Sequence, residues 1–250
     1  MDLSIPGRKS ASLSVEGISK HFNGLTAVDD VSFAVSPGAI HALIGPNGAG
    51  KTTTFNMIAG VSRPDTGVIK LGDQSLVGMR PDQICHSGVG RTFQVVRPFN
   101  EMTVVENVAV GALVWTDDVR EARAHAREVL NLLGLCDRAE ALPTGITLPD
   151  RKCLEVARAL ATKPKLLLLD EVMAGLRPTE TDQMIRTFKR LNVETGVTIL
   201  LIEHVMRAVM ALSSQVVVLN SGKVIAQGTP KEVTSDLDVQ ACYLGAEAFS

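Results

Sequence analysis

The sequence predicts an α/β protein with a mostly parallel core sheet, an N-terminal antiparallel β-subdomain and an inserted helical subdomain. Three observations predict this. Apolar, strand-length runs alternate with helical stretches through the last third, as parallel βαβ units do. The first third alternates apolar and polar residues at period two. The middle, from about Val104 to Leu160, carries helix start and stop signals instead.

Taken in order, Leu13–Gly17 and Ala27–Val35 alternate as half-buried strands, with turns at Gly24 and Pro37-Gly38. Ala39–Ile44 is apolar enough to be buried on both faces and leads through a glycine-rich turn into a helix over Thr52–Ala59. A pair of short strands is expected to bracket the turn residues Pro64-Asp65-Thr66-Gly67, the second running on through Val68–Leu71. Thr103 and Glu106 have the spacing of a capping box at a helix start. A second helix spans Asp117–Leu133 and stops at Gly134, and a third covers Pro149–Ala161. Strand Leu166–Leu169, helix Glu180–Asn192, strand Thr198–Ile202 and helix Val205–Leu212 follow. Val216–Leu219 and Lys223–Gln227 close the series as a hairpin around Asn220-Ser221-Gly222.

Composition narrows the function classes. In 250 residues, 25 Lys and Arg face 27 Asp and Glu, a formal net charge of −2 with no basic block, which argues against nucleic-acid binding by bulk electrostatics. At 45% hydrophobic and 21% charged residues the chain is not disordered. Aromatics at 4% leave few base-stacking platforms. Cys85, Cys136, Cys153 and Cys242 lie far apart, without metal-ligand spacing, and read as reduced thiols. No run approaches the ~20 apolar residues of a membrane-spanning helix, and no apolar segment of a signal peptide follows Arg8 and Lys9. A membrane role is therefore expected to come from docking onto another chain.

The chemistry sits at Gly45-Pro46-Asn47-Gly48-Ala49-Gly50-Lys51-Thr52-Thr53, which matches G-x-x-x-x-G-K-[ST] between an apolar strand and a helix. The glycines let successive backbone N–H groups face inward as an anion nest, and the helix start adds its positive end. Lys51 is expected to neutralise β- and γ-phosphates, and the Thr52 hydroxyl to ligate Mg²⁺. The second half of such a site is an acidic pair after a buried strand, here Asp170-Glu171 behind Leu166–Leu169. Asp170 is expected to hold Mg²⁺ through water and Glu171 to act as general base on the attacking water. The chain should bind ATP.

With a helical block separating loop from acidic pair, the chain resembles the nucleotide-binding subunits of ABC transporters over nearly all of Leu13–Gly245. That resemblance implies a P-loop NTPase core with a RecA-like parallel sheet. It implies one cassette over 12–245, with its helical subdomain at about 100–162, a flexible extension at 1–11 and a tail at 246–250. Gln94 in Gly90-Arg-Thr-Phe-Gln-Val falls at the family's Q-loop position, a Mg²⁺ or water contact, and His204 at its switch histidine. Phe22 takes the adenine-stacking position, and Ala174-Gly175-Leu176 corresponds to the D-loop. Ile202-Glu-His-Val-Met206, Glu101–Val108, Gly228–Val233 and Tyr243-Leu-Gly are similar to the branched-chain amino acid (Liv-type) import ATPases.

What the resemblance implies is ATP hydrolysis driving import, at the cytoplasmic face of the inner membrane. The partners would be two integral membrane permease subunits and a second ATPase subunit, with a solute-binding protein engaged only indirectly and no nucleic acid. A non-transport ABC-type ATPase acting on DNA or ribosomes is the alternative, and a small-molecule kinase, which would have no use for His204 or Gln94, is a third.

One segment departs from the family. Its Leu-Ser-Gly-Gly-Gln signature corresponds to Ile146, Thr147, Leu148, Pro149 and Asp150, where only the hydroxyl survives. Pro149 has no N–H, and Asp150 brings negative charge to a helix end meant to face a partner's γ-phosphate. Thr147-Leu-Pro-Asp remains a good helix start. Two copies of this chain would each carry the defect, so a heteromer with asymmetric hydrolysis is expected.

Overall fold

The computed structural model describes residues 10–93 and 97–247. Its first sheet is antiparallel, built from β1 (Leu13–Phe22), β2 (Leu25–Val35), β4 (Thr66–Leu71) and β5 (Gln74–Ser75), in the order β2-β1-β4-β5. Its second sheet holds β3 (Ile40–Ile44), β6 (Val89–Arg91), β7 (Leu166–Asp170), β8 (Thr198–Ile202), β9 (Gln215–Asn220) and β10 (Lys223–Gly228). The order is β10-β9-β3-β8-β7-β6, parallel throughout except for the β9–β10 hairpin.

Burial explains the division. Every residue of β3, β7 and β8 is buried, the pattern of strands covered on both faces. One face packs on an apolar cluster shared with the antiparallel sheet (Val15, Val31, Leu43, Phe55, Leu168, Leu200) and the other on a cluster shared with the helices. α1 (Lys51–Ile58) and α2 (Pro81–Ser87) belong to the first third, and α6 (Pro178–Thr195), α7 (Met206–Leu212), α8 (Pro230–Ser235) and α9 (Leu237–Glu247) to the last.

α3 (Val104–Ala112), α4 (Val119–Leu132) and α5 (Leu148–Leu160) form the helical block between β6 and β7. Thr103 accepts the Glu106 N–H while Glu106 returns a carboxylate to the Thr103 N–H at 2.8 Å, the capping box read from the sequence. Asp118 caps α4 and Thr147 caps α5.

Two local readings need correcting. Pro64–Gly67 does not separate two strands: β4 begins at Thr66 and turns back on β5 instead, while Asp65 holds Lys20 Nζ at 2.8 Å and the His21 N–H at 2.7 Å. α2, β6, α8 and α9 were not anticipated, being short or lacking strong periodicity. Of the expected extension at 1–11 and tail at 246–250, residues 1–9 and 248–250 lie outside the described residues, as does Gln94.

The residues just before α3 are fastened to a buried amide. Asn107 of α3 has no exposed surface; its Oδ1 accepts the Phe99 N–H at 2.8 Å, and its Nδ2 donates toward the carbonyls of Phe99, Met102 and Thr103 at 3.0 Å. Replacing it with an isosteric apolar group strands several backbone groups away from water. Asn107→Leu should lose about 2–3 kcal/mol of stability in denaturant titrations; an unchanged midpoint would contradict this role.

Candidate functional site

Strand β3 ends at Ile44, and the chain then wraps back on itself before α1. Gly45 and Gly50 adopt φ of 148° and 100°, and Gly48 of 80°. Side chains are excluded at two of them: a Cβ on Gly45 would overlap the Leu219 carbonyl oxygen, and one on Gly50 would lie 2.5 Å from that of Ala27. Lys51 opens α1 and is buried; its ammonium donates to the carbonyls of Gly45 at 2.7 Å and Pro46 at 2.9 Å, spanning the loop from inside. Burial lowers the Lys51 pKa, while Glu171 and Asp170 across the site favour its charged form. Phe22, half exposed at the end of β1, lines the same cleft of about 600 Å³ as Asn47 to Thr53 and Glu171.

Strand β7, separated from β3 by β8, brings the acids. β7 ends in Asp170, 3% exposed, whose Oδ2 receives a guanidinium N–H from Arg91 at 3.2 Å. Burial raises the Asp170 pKa and the Arg91 charge opposes the rise. Glu171 follows with φ of 50°, a left-handed conformation unusual for a residue with a side chain. Its Oε1 lies 2.7 Å from Nε2 of His204, which comes from the end of β8. The structure thus brings the glycine loop, the acidic pair, His204 and Phe22 to one edge of the sheet.

Thr52 and Asp170 line a neighbouring cleft of about 480 Å³. No group of three or more His, Cys, Asp or Glu among the described residues could hold a metal unaided. A hydroxyl and a carboxylate facing one cleft nevertheless fit Mg²⁺, which takes one or two protein ligands plus phosphate oxygens. The described residues include no helix long and apolar enough to cross a membrane.

The Thr147–Asp150 segment opens a helix, as its residues imply. Thr147 is the cap of α5, Leu148 its first residue and Pro149 its second. Of the amides that could face an anion there, Pro149 has none. The Asp150 N–H goes to Thr147 Oγ1 at 3.3 Å and the Arg151 N–H to the Thr147 carbonyl at 2.9 Å.

Sequence reasoning missed four residues around the site. Arg91 joins Asp170 to Asn56 of α1, which accepts from it at 2.7 Å. Lys152 and Glu203 are buried beside the turn after β7. Burial pushes the pKa of Tyr243 on α9 up to about 12, and the Gly45 backbone beside it opposes the rise. The apolar run before Glu203 and the Gly90-Arg-Thr wording were the available signals; neither marks a partner on its own.

A strand, a left-handed glycine loop with its lysine, and an acidic pair at the end of a second parallel strand of the same sheet define a P-loop nucleotide-binding protein. The ABC transporter family profile matches residues 28–174, and the profile of the branched-chain amino acid ATP-binding cassette transporters matches 223–248. The high-affinity branched-chain amino acid transport ATP-binding protein LivG of Escherichia coli (strain K12) is 41% identical over 93% of this chain and 97% of its own. The corresponding protein BraF of Pseudomonas aeruginosa is 38% identical over the same shares. Among solved structures, an ATP-binding cassette of an ABC transporter in its ADP conformation superposes with a TM-score of 0.85 at 30% identity, covering 94% of this chain and 99% of that one. The chain belongs to the ABC transporter family, as an ATP-binding, ATP-hydrolysing cassette.

Glu203 offers a test of the site's electrostatics. Burial, opposed by the Met173 N–H and reinforced by the Glu171 charge, raises its pKa from 4.5 to about 7. A carboxyl raised in the folded state stabilises the protein fully below its unfolded pKa, and that contribution is lost as pH rises through about 7. Relative to Glu203→Gln, the wild-type chain should lose roughly 3 kcal/mol of unfolding free energy between pH 4 and pH 8. Identical pH slopes in denaturant titrations would show that Glu203 does not titrate in this window.

Proposed function

We propose that this chain is the ATPase subunit of an importer for branched-chain or related amino acids, peripheral to the cytoplasmic face of the inner membrane. The relatives' names and the match at 223–248 support the solute class over the non-transport alternative. The observation that carries the chemistry is the meeting of the Lys51 loop, Asp170 and the 2.7 Å Glu171–His204 pair on one sheet edge.

In this reading the triphosphate lies along Gly45 to Thr53, whose N–H groups and Lys51 take its charge, with Phe22 against the base. Lys51 exchanges its Gly45 and Pro46 carbonyls for phosphate oxygens. Mg²⁺, held by Thr52, Asp170 and Gln94, would neutralise charge on the β- and γ-phosphate oxygens. Glu171 takes the proton of the attacking water, and His204 fixes the carboxylate and contacts the γ-phosphate. A groove of about 280 Å³ lined by Ile84, Arg91, Phe93, Val110 and Arg158 lies between the core and the helical block, and suits the docking of one of the two permease subunits. Arg91 reaches from that groove to Asp170.

The depleted amides of Thr147 to Asp150 support a heteromer, in which a second ATPase subunit with a better signature completes the site built on this chain's catalytic residues. Glu171→Gln should retain ATP binding and lower turnover at least about 100-fold in the assembled transporter, whereas Lys51→Ala should weaken nucleotide binding itself. The Glu171→Gln chain alone should remain monomeric with ATP and Mg²⁺ in light scattering. Full turnover by Glu171→Gln would contradict the general-base role, and a tight homodimer would contradict the heteromer.

A further inference from the structure

Glu171 holds a left-handed backbone conformation that costs of order 1–3 kcal/mol unless its surroundings over-determine it. The grips on it come from two directions. From β8 and the residues after it, the Ile202 carbonyl accepts the Glu171 N–H at 2.9 Å, and His204 meets the side chain. Glu203, 1% exposed, accepts the Met173 N–H at 2.9 Å, two residues past Glu171. From α5, Lys152, 7% exposed, donates its ammonium to the Glu171 carbonyl at 3.3 Å. Both Val172 and Met173 are themselves buried, so the turn cannot turn to water for these bonds.

Two buried polar side chains thus hold one turn from opposite sides, the Lys152 ammonium at a carbonyl and a Glu203 carboxyl oxygen at an N–H. Neither reaches the nucleotide cleft's lining. A buried lysine and glutamate are costly to keep unless they hold something in place. Lys152 lies on the helix whose first turn is the signature segment, five residues past Thr147. Its ammonium therefore ties that helix to the backbone of the carboxylate that the preceding reading makes the general base.

We infer that Lys152 and Glu203 are positioning residues for Glu171, setting the angle at which its carboxylate meets water and passing movements of α5 to it. This rests on Glu171 being the base. The clamp does not bind nucleotide, so its loss falls on the chemical step alone; a misplacement of order 1 Å can cost up to about 100-fold in rate.

The experiment measures ATP hydrolysis, KM and separately ATP affinity in the assembled transporter. Glu203→Ala and Lys152→Met should each lower kcat about 10- to 100-fold. KM and ATP affinity should stay within about twofold. Glu203→Gln, which keeps an oxygen for the Met173 N–H, and Lys152→Arg, which keeps a donor, should recover most of the loss. Because the clamp acts through Glu171, adding Glu203→Ala to Glu171→Gln should change the residual single-turnover rate by less than about twofold. Wild-type kcat in both Glu203→Ala and Lys152→Met overturns the inference. So does an ATP affinity that falls as far as kcat, no recovery in the conservative variants, or a further large loss in the Glu171→Gln background. Hydrolysis that does not depend on Glu171 in the otherwise wild-type assembly overturns the reading of the base, and the inference with it.

Discussion

Three adjacent parallel strands, β3, β8 and β7, end on the same edge of one sheet, and the glycine loop, the acidic pair and His204 hang from those ends. The constraint is burial. Strands apolar on both faces can sit only in the middle of a covered sheet, and parallel strands joined by helices send all their carboxyl ends one way. Gly45, Asp170 and Glu203 are each the residue at or just after such an end, so their spacing is set by strand separation rather than by loop conformation. The loops supply the fine placement. The glycine loop closes around Lys51, and the turn at Glu171 closes around its own left-handed residue.

That division accounts for what could be read in advance. The buried strands, the capping box at Thr103 and the glycine loop each follow from local residue chemistry, and they stand where the sequence put them. The missed elements are those with little local signal. β6 is three residues long and exists because β7 offers it a ladder, and α9 has no pronounced apolar face. The turn at Pro64–Gly67 escapes a local reading because Asp65 finds its partners 44 and 45 residues upstream, on β1. Pairing at that distance leaves no trace in the spacing.

The polar network around the site was the least legible part. Arg91, Lys152 and Glu203 are ordinary charged residues in sequence, and only packing makes them buried partners of Asp170 and of the turn after Glu171. The same network gives the weakened signature segment its context. The Asp150 N–H is spent on closing the first turn of α5 and Pro149 has none, while Lys152, on that helix, is directed inward to this chain's own acidic turn. Such a helix end is in keeping with the heteromer proposed above.

The central claim is that the left-handed loop between β3 and α1 is the phosphate nest, with Lys51 waiting on its carbonyls. Amide hydrogen exchange of the full chain, followed with and without ATP and Mg²⁺, tests it most directly. The account predicts slowed exchange over residues 45–53 on nucleotide addition, with little change over 147–151 in the chain alone. Unaltered exchange over 45–53 at saturating nucleotide would contradict it.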